Sequence, residues 1–244
     1  MSGKDETIDP LEGHDLQLIQ PRLGYRFSLD PLLLVDFARP AGGRGVDLGC
    51  GCGIMALLMA RLSPQIHVTG VELQESMADL ARRNVELNGL SSRVEIVESD
   101  ILHLGGVLPA NGFDLVVANP PYRRRGEGRV SPRAGRDLAR HESSATLADF
   151  LAVAKRLVSP GGRICFIHHP DRLVELICLA TAAKLAPRRL RMVHGDAAAG
   201  ARMFMVELMK GSRGALEILP PLLVYNGDGG YSAEMLGIYA REGY

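Results

Sequence analysis

Apolar runs and polar turns alternate along the chain, and their spacing predicts strands and helices in turn. Short apolar runs bounded by turn residues are typical of buried strands. They occur at 45–48, 66–71, 94–97, 113–118, 163–167, 189–193 and 203–208. Longer amphipathic or apolar stretches predict helices at 32–38, 54–62, 74–88, 146–157 and 170–183. This alternation favours an α/β fold with a mostly parallel, seven-stranded sheet and helices on both faces.

The segments before the first of these strands are less regular. Residues 1–21 spread acids and glycines among few patterned apolar positions, so we expect them to be poorly ordered or loosely attached. Residues 24–28 alternate enough for a short strand. Asp30 and Pro31 have the form of a helix N-cap followed by proline in the first turn. Capping is the favoured interpretation of Asp30, and a role at the polar end of a cofactor is the alternative.

Length and composition indicate one globular domain. The chain has 244 residues, of which 46% are hydrophobic and 23% charged, and this is enough for one domain with a full core. We expect a single domain over 1–244, with an N-terminal extension at 1–23, a short strand and helix at 24–43, and a C-terminal tail at 211–244. No apolar run approaches the roughly 20 residues of a membrane helix. The start of the chain lacks the basic and apolar regions of a signal peptide, so a cytoplasmic location is expected.

Neither the cysteines nor the histidines are spaced as metal ligands. One residue separates Cys50 from Cys52, too few for the usual zinc knuckle, and no second pair follows. Cys165 and Cys178 fall in a predicted strand and a predicted helix, where a free thiol is commonly a small buried hydrophobe. The seven histidines show no ligand spacing. We therefore expect no metal site and no structural disulfide.

Positive charge is concentrated in one segment, although the formal net charge is zero. Between residues 123 and 140 there are seven arginines and two acids. The arginines are Arg123, Arg124, Arg125, Arg129, Arg133, Arg136 and Arg140. Arginine binds phosphate well because its planar fork is bidentate. We interpret the segment as a loop that contacts nucleic-acid phosphates, the alternative being a solvated loop without a ligand.

A glycine-rich turn flanked by acids predicts a nucleotide site. Asp47 lies in a predicted strand, and Gly49, Gly51 and Gly53 follow it before a helix. Glycine allows positive φ and a close approach of the backbone to a ligand. Dinucleotide-binding folds use a similar turn, but an acid at Asp47 suits a cationic amino-acid portion better than a pyrophosphate. Glu72 ends the second strand, where it could accept from ribose hydroxyls or only cap the next helix.

Polar groups also follow the third and fourth predicted strands. Asp100 could pair there with the exocyclic amine of a purine, or it could cap a turn. Asn119 offers a carbonyl acceptor and an amide donor, and Pro120 and Pro121 leave the carbonyls between them free on a stiff turn. Tyr122 supplies a flat face for stacking a planar substrate. These groups could hold an amine nitrogen at an electrophile, although asparagine and proline also favour plain turns.

Together these motifs resemble those of the class I S-adenosylmethionine-dependent methyltransferases, which have a Rossmann-like fold. The Asn-Pro-Pro-Tyr tetrapeptide is similar to that of the amino-methyltransferases, which act on adenine N6, guanine N2 or glutamine N5. Further segments resemble the bacterial tRNA1(Val) adenine-N6 methyltransferase family, which modifies an adenosine next to the anticodon. These segments are 26–33, 140–142, 219–221 and 229–234. Cys50 and Cys52 depart from the family, in which small or hydroxyl residues are common at these two positions. Because the turn acts through its backbone, cofactor binding is expected to be intact.

The resemblance implies roles for particular residues. Catalysis is expected at Asn119, Pro120, Pro121 and Tyr122. The cofactor S-adenosylmethionine is expected to contact Asp30, Asp47, Gly49, Gly51, Gly53, Glu72, Leu73, Asp100, Ile101 and Asn119. The seven arginines are expected to bind substrate RNA, and no metal is expected.

The function that the resemblance favours is methylation of an adenosine N6 in the anticodon loop of a valine-type tRNA. One alternative is a glutamine-N5 protein methyltransferase. Such enzymes usually carry an N-terminal helical domain, and a glycine turn that begins at Gly49 leaves little room for one. A second alternative is an rRNA guanine-N2 methyltransferase. A third is a non-catalytic RNA-binding protein, although the intact Asn-Pro-Pro-Tyr tetrapeptide argues against it. The sequence leaves the particular tRNA and the oligomeric state open.

Overall fold

The computed structural model describes residues 6–22, 28–121 and 145–240. The strands are β1 (Glu6–Leu11), β2 (Leu16–Pro21), β3 (Gly43–Leu48), β4 (Ile66–Glu72), β5 (Val94–Glu98), β6 (Phe113–Ala118), β7 (Val158–His168), β8 (Leu185–His194), β9 (Ala201–Lys210), β10 (Glu217–Ile218) and β11 (Leu222–Leu223). The α-helices are α1 (Asp30–Ala38), α2 (Ile54–Leu62), α3 (Glu75–Leu87), α4 (Leu147–Leu157), α5 (Leu173–Ala182) and α6 (Ala233–Tyr239). Short 3-10 helices occupy Glu12–His14, Ile101–His103 and Pro170–Arg172.

The central sheet has nine strands, in the order β10-β8-β9-β7-β6-β3-β4-β5, with β11 also paired to β8. It is mostly parallel, as predicted, and β9 runs antiparallel to its neighbours β7 and β8. The prediction of seven strands was wrong because β10 and β11, of two residues each, join the outer edge of β8. Segments this short carry no alternation that a sequence pattern could show.

The N-terminal segment is not loosely attached, contrary to our expectation. β1 and β2 form an antiparallel hairpin that lies against α3. Asn84 of α3 is fully buried, and its side chain accepts from the Ile19 N–H at 2.7 Å and donates to the Ile19 carbonyl at 3.2 Å. The attachment depends on a residue 65 positions away, which a local pattern does not report. The strand predicted at 24–28 lies outside the described residues, except for Ser28.

Asp30 is not the N-cap of α1. Leu29 occupies the cap position without a side-chain hydrogen bond, and Asp30 is the first helical residue, followed by Pro31. An acid in the first turn still interacts favourably with the positive end of the helix dipole. The predicted helix and its early proline are therefore confirmed, but the role of Asp30 as a cap is wrong.

Apolar side chains cover both faces of the sheet in two clusters. Leu115 and Val117 of β6 face the cluster that includes α1, α2 and α3, whereas Val116 and Ala118 face the cluster that includes α4 and α5. Burial on both faces explains why β6 is a continuous apolar run. Helices on both faces are thus confirmed. Among the described helices, none combines the length and apolar character that crossing a bilayer requires.

An ion cluster around the buried Glu207 connects the C-terminal end of α1 to three strands. Glu207 of β9 accepts from Arg189 of β8 at 2.7 Å and from Arg163 of β7 at 3.1 Å. Arg163 also donates to the Ala38 carbonyl at 2.6 Å, and Arg189 to the Phe37 carbonyl at 2.9 Å. Carbonyls at the end of a helix have no partner within the helix, so these arginines satisfy them. The cluster therefore links the end of α1 to β7 and β8 directly, and to β9 through Glu207.

Candidate active site

The carboxyl ends of four central strands bring most of the predicted site residues to one edge of the sheet. A row of paired residues crosses the sheet there: Ala118 of β6, Leu48 of β3, Val71 of β4 and Val97 of β5. The chain positions next to this row are Asn119, Gly49, Glu72 and Glu98. Open α/β sheets bind their ligands at this edge. Neighbouring strands lie about 4.8 Å apart, so Asn119 leaves the sheet beside the glycine turn.

The glycine turn is held against the end of β4 by its backbone. The N–H groups of Gly49 and Cys50 both donate to the Val71 carbonyl, at 2.8 and 2.9 Å. Gly49, Gly51 and Gly53 have φ values of 76°, 55° and 85°. At Gly51 an added Cβ would come no closer than 3.9 Å to any described atom apart from those of its chain neighbours, so the positive φ, rather than a described contact, requires glycine.

The cysteines of this turn are buried, free thiols. Burial raises the pKa of Cys52 to about 11, so the thiol is neutral and acts as a small apolar side chain. Cys165 is buried as well, whereas Cys178 is exposed, contrary to the expectation for it. No group of three or more potential metal ligands is found among the described residues.

Asp47 is fully buried beneath the turn, and neither of its carboxylate oxygens makes a hydrogen bond to a described residue. Burial raises the pKa of Asp47 well above its ordinary value, and the charge of Glu72 raises it further. The backbone amide of Ala56 offsets this in part, but it does not reach hydrogen-bond geometry. A buried carboxylate without a partner is costly to ionise. Asp47 would therefore be stabilised in its ionised form by a cation bound nearby.

Glu72 connects the glycine turn to the start of α3. Its side chain accepts from the N–H of Gly51 and from the N–H of Gln74, both at 2.9 Å. The residue is only 7% exposed. Its bond to Gln74, the N-cap residue of α3, agrees with the capping alternative, and its contact with ribose hydroxyls stays a prediction. A carboxylate has about four acceptor positions. The remaining positions are available to the hydroxyl groups of a ligand.

The residues after β5 lie next to Glu72. The Ser99 N–H donates to the Glu72 carbonyl at 2.8 Å. Asp100 accepts from the Leu102 N–H at 2.9 Å and so caps a 3-10 helix, while its other oxygen is 3.7 Å from Nδ1 of His103. Ile101 is buried and Leu73 is half-buried. Capping is thus the role of Asp100 that the structure displays, and its role in cofactor binding stays a prediction.

Asn119, Pro120 and Pro121 follow directly after β6. Asn119 is half-buried, Pro120 is buried and Pro121 is exposed. The strand ahead of them is rigid because it pairs on both sides, with β3 and with β7. Tyr122 and the seven arginines predicted to bind RNA lie outside the described residues. Those arginines are Arg123, Arg124, Arg125, Arg129, Arg133, Arg136 and Arg140.

A histidine that has no ligand spacing in the sequence also lies at this edge. His168 ends β7, and since Ala118 pairs with Phe166, it is nearly level with Pro120. It is 1% exposed, and its Nδ1 accepts from the His169 N–H at 2.8 Å. Burial, with help from the charge of Arg172, lowers the pKa of His168 to about 4. The ring is therefore neutral with its proton on Nε2. The sequence signal that could have identified His168 is a polar residue at the end of a buried strand.

The strand order, with antiparallel β9 between β7 and β8, and this site at the carboxyl edge define a class I methyltransferase fold. A protein of Agrobacterium tumefaciens described as a predicted O-methyltransferase shares this fold. It has a TM-score of 0.72 at 23% identity, with 88% of this chain and 98% of that chain covered. Such a likeness concerns the fold alone.

The chain belongs to the methyltransferase small domain family, which matches residues 30–177. A tRNA1(Val) (adenine(37)-N6)-methyltransferase of Porphyromonas gingivalis is 35% identical over 176 residues, covering 69% of this chain and 68% of that protein. An enzyme of the same name from Aeromonas hydrophila subsp. hydrophila is 29% identical, covering 86% of this chain and 87% of that protein. The family resemblance predicted from the motifs is therefore confirmed.

Proposed function

We propose that this protein transfers a methyl group from S-adenosylmethionine to the exocyclic N6 of an adenosine in the anticodon loop of a valine-type tRNA. The observation that carries the proposal is the position of Asn119-Pro120-Pro121 at the end of β6, beside the glycine turn of β3. The relatives named for this activity support it. A tRNA substrate implies a cytoplasmic location for the protein.

The residues at the turn fit the methyl donor. S-adenosylmethionine carries a cationic amino-acid portion and a ribose. Neither oxygen of Asp47 has a hydrogen-bond partner among the described residues, and the carboxylate need not touch a cation to stabilise it, since the interior weakens electrostatic screening. Glu72 keeps free acceptor positions for hydroxyl groups. Asp30, Leu73, Asp100 and Ile101 are proposed to complete the donor site.

The Asn-Pro-Pro turn is proposed to position the amine for the reaction. When bound, the donor supplies an electrophilic methyl group on a sulfonium. Adenine N6 is a poor nucleophile because its lone pair is delocalised into the ring. Asn119 Oδ1 and the Pro120 carbonyl would accept from its two N–H bonds and direct the lone pair towards the methyl group. Catalysis would thus come from positioning and electrostatics.

The reaction requires no strongly basic residue beside Asn119. The nitrogen becomes acidic only once the new N–C bond has formed, and its proton can then leave to water. Tyr122 is proposed to stack on the adenine after the base has left its own stack. The seven arginines that follow Tyr122 are proposed to contact phosphates of the same loop.

One experiment distinguishes this function from the alternatives. Purified protein is incubated with labelled S-adenosylmethionine and, separately, with total tRNA, rRNA and total protein, and the modified nucleosides or amino acids are identified by mass. We expect N6-methyladenosine in tRNA. Label on rRNA guanosine, label on protein glutamine, or no label in any pool would contradict the proposal. Comparing tRNA nucleosides from cells with and without the protein tests the same assignment in vivo.

A further inference from the structure

The C-terminal tail returns to the sheet edge that carries Asn119. β7 is parallel to β6, and β8 is parallel to β7 because both are antiparallel to β9. β11 pairs in parallel with the end of β8, so the chain that follows β11 emerges at the carboxyl edge. Tyr225 is the second residue after β11, and it bridges to Tyr231 across a tight turn. Two tyrosines thus reach the edge where the candidate active site lies.

This tyrosine turn is firmly attached to the fold. The Tyr225 N–H donates to the Gly195 carbonyl, just past β8, at 2.8 Å. Ser232 Oγ donates to the Leu223 carbonyl at 2.6 Å and also accepts from the first turn of α6. The inward side chains of α6 are buried in the core. The position of the turn is therefore set by backbone pairing and by α6, without burial of the tyrosine rings.

Three tyrosine rings form one stack. The rings of Tyr225 and Tyr231 are nearly parallel, with an interplanar angle of 9° and centroids 5.5 Å apart, and the Tyr239 ring is tilted by 32° from Tyr231, with centroids 5.4 Å apart. Tyr225 is 37% exposed and lies at one end of the stack, because Tyr231 is the ring that both pairs share. Within the described residues, no other ring or guanidinium is stacked on it. A flat face on a rigid backbone is what an unpaired nucleobase needs for stacking.

Polar and cationic groups continue from this stack towards the active site. Arg202 Nε lies over Gly195, 3.2 Å from where a Cβ would be. The side chain of Arg202 is exposed, and no described carboxylate lies within ion-pair distance of it. The Arg202 carbonyl is 3.2 Å from Nδ1 of exposed His169, which follows β7. β7 in turn pairs with β6, after which Asn119 follows. The edge therefore presents an unpaired guanidinium between the reactive position and the stack.

We propose that an unpaired base of the tRNA stacks on Tyr225 while Arg202 binds a neighbouring phosphate. This inference rests on the proposed function and names a second contact of the same substrate. Four strand spacings, or about 19 Å, separate the end of β6 from the tail beside β8. At about 3.4 Å per stacked nucleotide, that span corresponds to roughly six nucleotides. Tyr225 would thus hold RNA outside the reactive position and favour substrates that extend along the edge.

The test compares variants in RNA binding and in methylation kinetics. A fluorescent anticodon stem-loop RNA is titrated with wild type, Tyr225→Ala and Tyr225→Phe, and KM for tRNA is measured for each. Tyr225→Ala loses the stacking of one base, so it is expected to bind the RNA about tenfold more weakly and to raise KM for tRNA by a similar factor. Tyr225→Phe keeps an aromatic ring and should restore both values. The affinity for S-adenosylmethionine and the unfolding temperature show that the variants are folded.

Arg202 is tested through the salt dependence of binding. Arg202→Ala should reduce the slope of log K against log salt by about 0.7, as expected for one lost contact to single-stranded RNA. Arg213→Ala is the matched control, because it removes the same charge from an exposed position after β9, at the opposite edge of the sheet. Equal slopes for the two variants would contradict the role of Arg202.

The outcomes separate this inference from the proposed function. If wild type methylates tRNA but Tyr225→Ala matches it in RNA affinity and KM, the stacking site is wrong and the function stands. If wild type methylates no tRNA, the function is wrong, and the stem-loop titration alone decides the stacking site. In that case, equal binding by wild type and Tyr225→Ala overturns the inference.

Discussion

Asp47 shows how one residue can favour cofactor binding at the expense of stability. Its carboxylate is fully buried and lacks a described hydrogen-bond partner. Because burial and then Glu72 raise its pKa, the folded state holds a proton more tightly than the unfolded state does. The stability that this proton contributes is complete below the unfolded pKa of about 3.9 and is lost as the pH rises towards the folded value.

Replacing Asp47 with asparagine should therefore separate stability from donor affinity. At neutral pH, Asp47→Asn should unfold several degrees higher than wild type, at about 2–4 °C per kcal/mol, because no charge is buried. The same variant should bind S-adenosylmethionine at least about tenfold more weakly, since the carboxylate that favours a cation is gone. Thermal unfolding near pH 4 and pH 7.5, with calorimetric titration of the donor, measures both effects. If Asp47→Asn and wild type unfold at the same temperature at pH 7.5, or bind S-adenosylmethionine equally well, this account is contradicted.

The role proposed for Asn119 predicts a loss of rate without a loss of donor binding. Asn119→Ala should reduce kcat about 10²-fold or more, as removal of an oriented polar contact does, and its Kd for S-adenosylmethionine should stay within about twofold of wild type. Asn119→Asp, which keeps an acceptor oxygen, should retain more activity than the alanine variant. Single-turnover methylation of tRNA provides the rates. Full activity of the alanine variant would show that the amine is held by other groups.

At the scale of secondary-structure elements, α3 links the N-terminal hairpin to the glycine turn. Besides its contacts with Ile19, the buried Asn84 side chain donates to the Cys52 carbonyl at 3.0 Å. Among the described residues, the side chain of Asn88, one turn later, makes hydrogen bonds only to the hairpin and to α3, through Gln17 and the Asn84 carbonyl. The two asparagines therefore serve the same hairpin, but only Asn84 also reaches the turn.

This difference gives a matched pair of variants. Asn84→Ala should weaken S-adenosylmethionine binding about fivefold, as expected for a net hydrogen-bond contribution of about 1 kcal/mol to the turn. Asn88→Ala should leave donor affinity unchanged. Both should speed amide hydrogen exchange in β1 and β2. Calorimetry and exchange mass spectrometry measure the two effects, and equal donor affinities of the two variants would remove Asn84 from the support of the turn.

The ion cluster at the end of α1 makes stability depend on pH in the opposite sense to Asp47. Burial raises the pKa of Glu207, but hydrogen bonds and charges of Arg189 and Arg163 outweigh it, and the net pKa is lowered. The stability from Glu207 is therefore present above the unfolded pKa of about 4.3 and is lost as the pH falls through the folded value.

Glu207→Gln should cost about 1–3 kcal/mol at pH 7, because two arginines lose their charged acceptor. The difference from wild type should shrink as the pH falls below about 4, where glutamate is protonated as well. Glu95→Gln, at an exposed position of β5, is the control and should have little effect. Urea unfolding across pH provides the test. A constant difference at all pH values would show that the charge of Glu207 contributes nothing.

For the whole molecule, the sequence predicted what depends on local periodicity. β6 and α2 begin and end where their apolar patterns do, and the acids and glycines at the strand ends fall at one edge because parallel strands share it. The hairpin of β1 and β2 was missed because it is held by Asn84, and β10 and β11 because they pair with a strand completed earlier in the chain. Tyr225 and Arg202 lie far apart in sequence, so only the folded tail shows them at one edge.

The tail also covers the outer edge of β8, and its removal is a test at this scale. Deleting residues 217–240 would expose that edge and remove the buried side chains of Leu222, Met235 and Ile238, each worth about 1.5–3 kcal/mol. We expect the truncated protein to be less stable and to self-associate through the free strand. Light scattering after size exclusion measures the association. A truncated protein with the same number of subunits in solution as the full chain would contradict this expectation.

At the opposite edge of the sheet, formed by β5, charged side chains disfavour pairing with a strand of another chain. Among the described strands, β5 pairs only with β4. Its exposed side chains are Glu95 and Glu98, and Glu98 also lies 3.6 Å from Arg82. Two copies that aligned this strand would force carboxylates against one another, which penalises such pairing at neutral pH. Acidification or a lysine-rich peptide would lift that penalty. The fibril-like addition of strands is thus blocked at this margin by repulsion that depends on pH and salt.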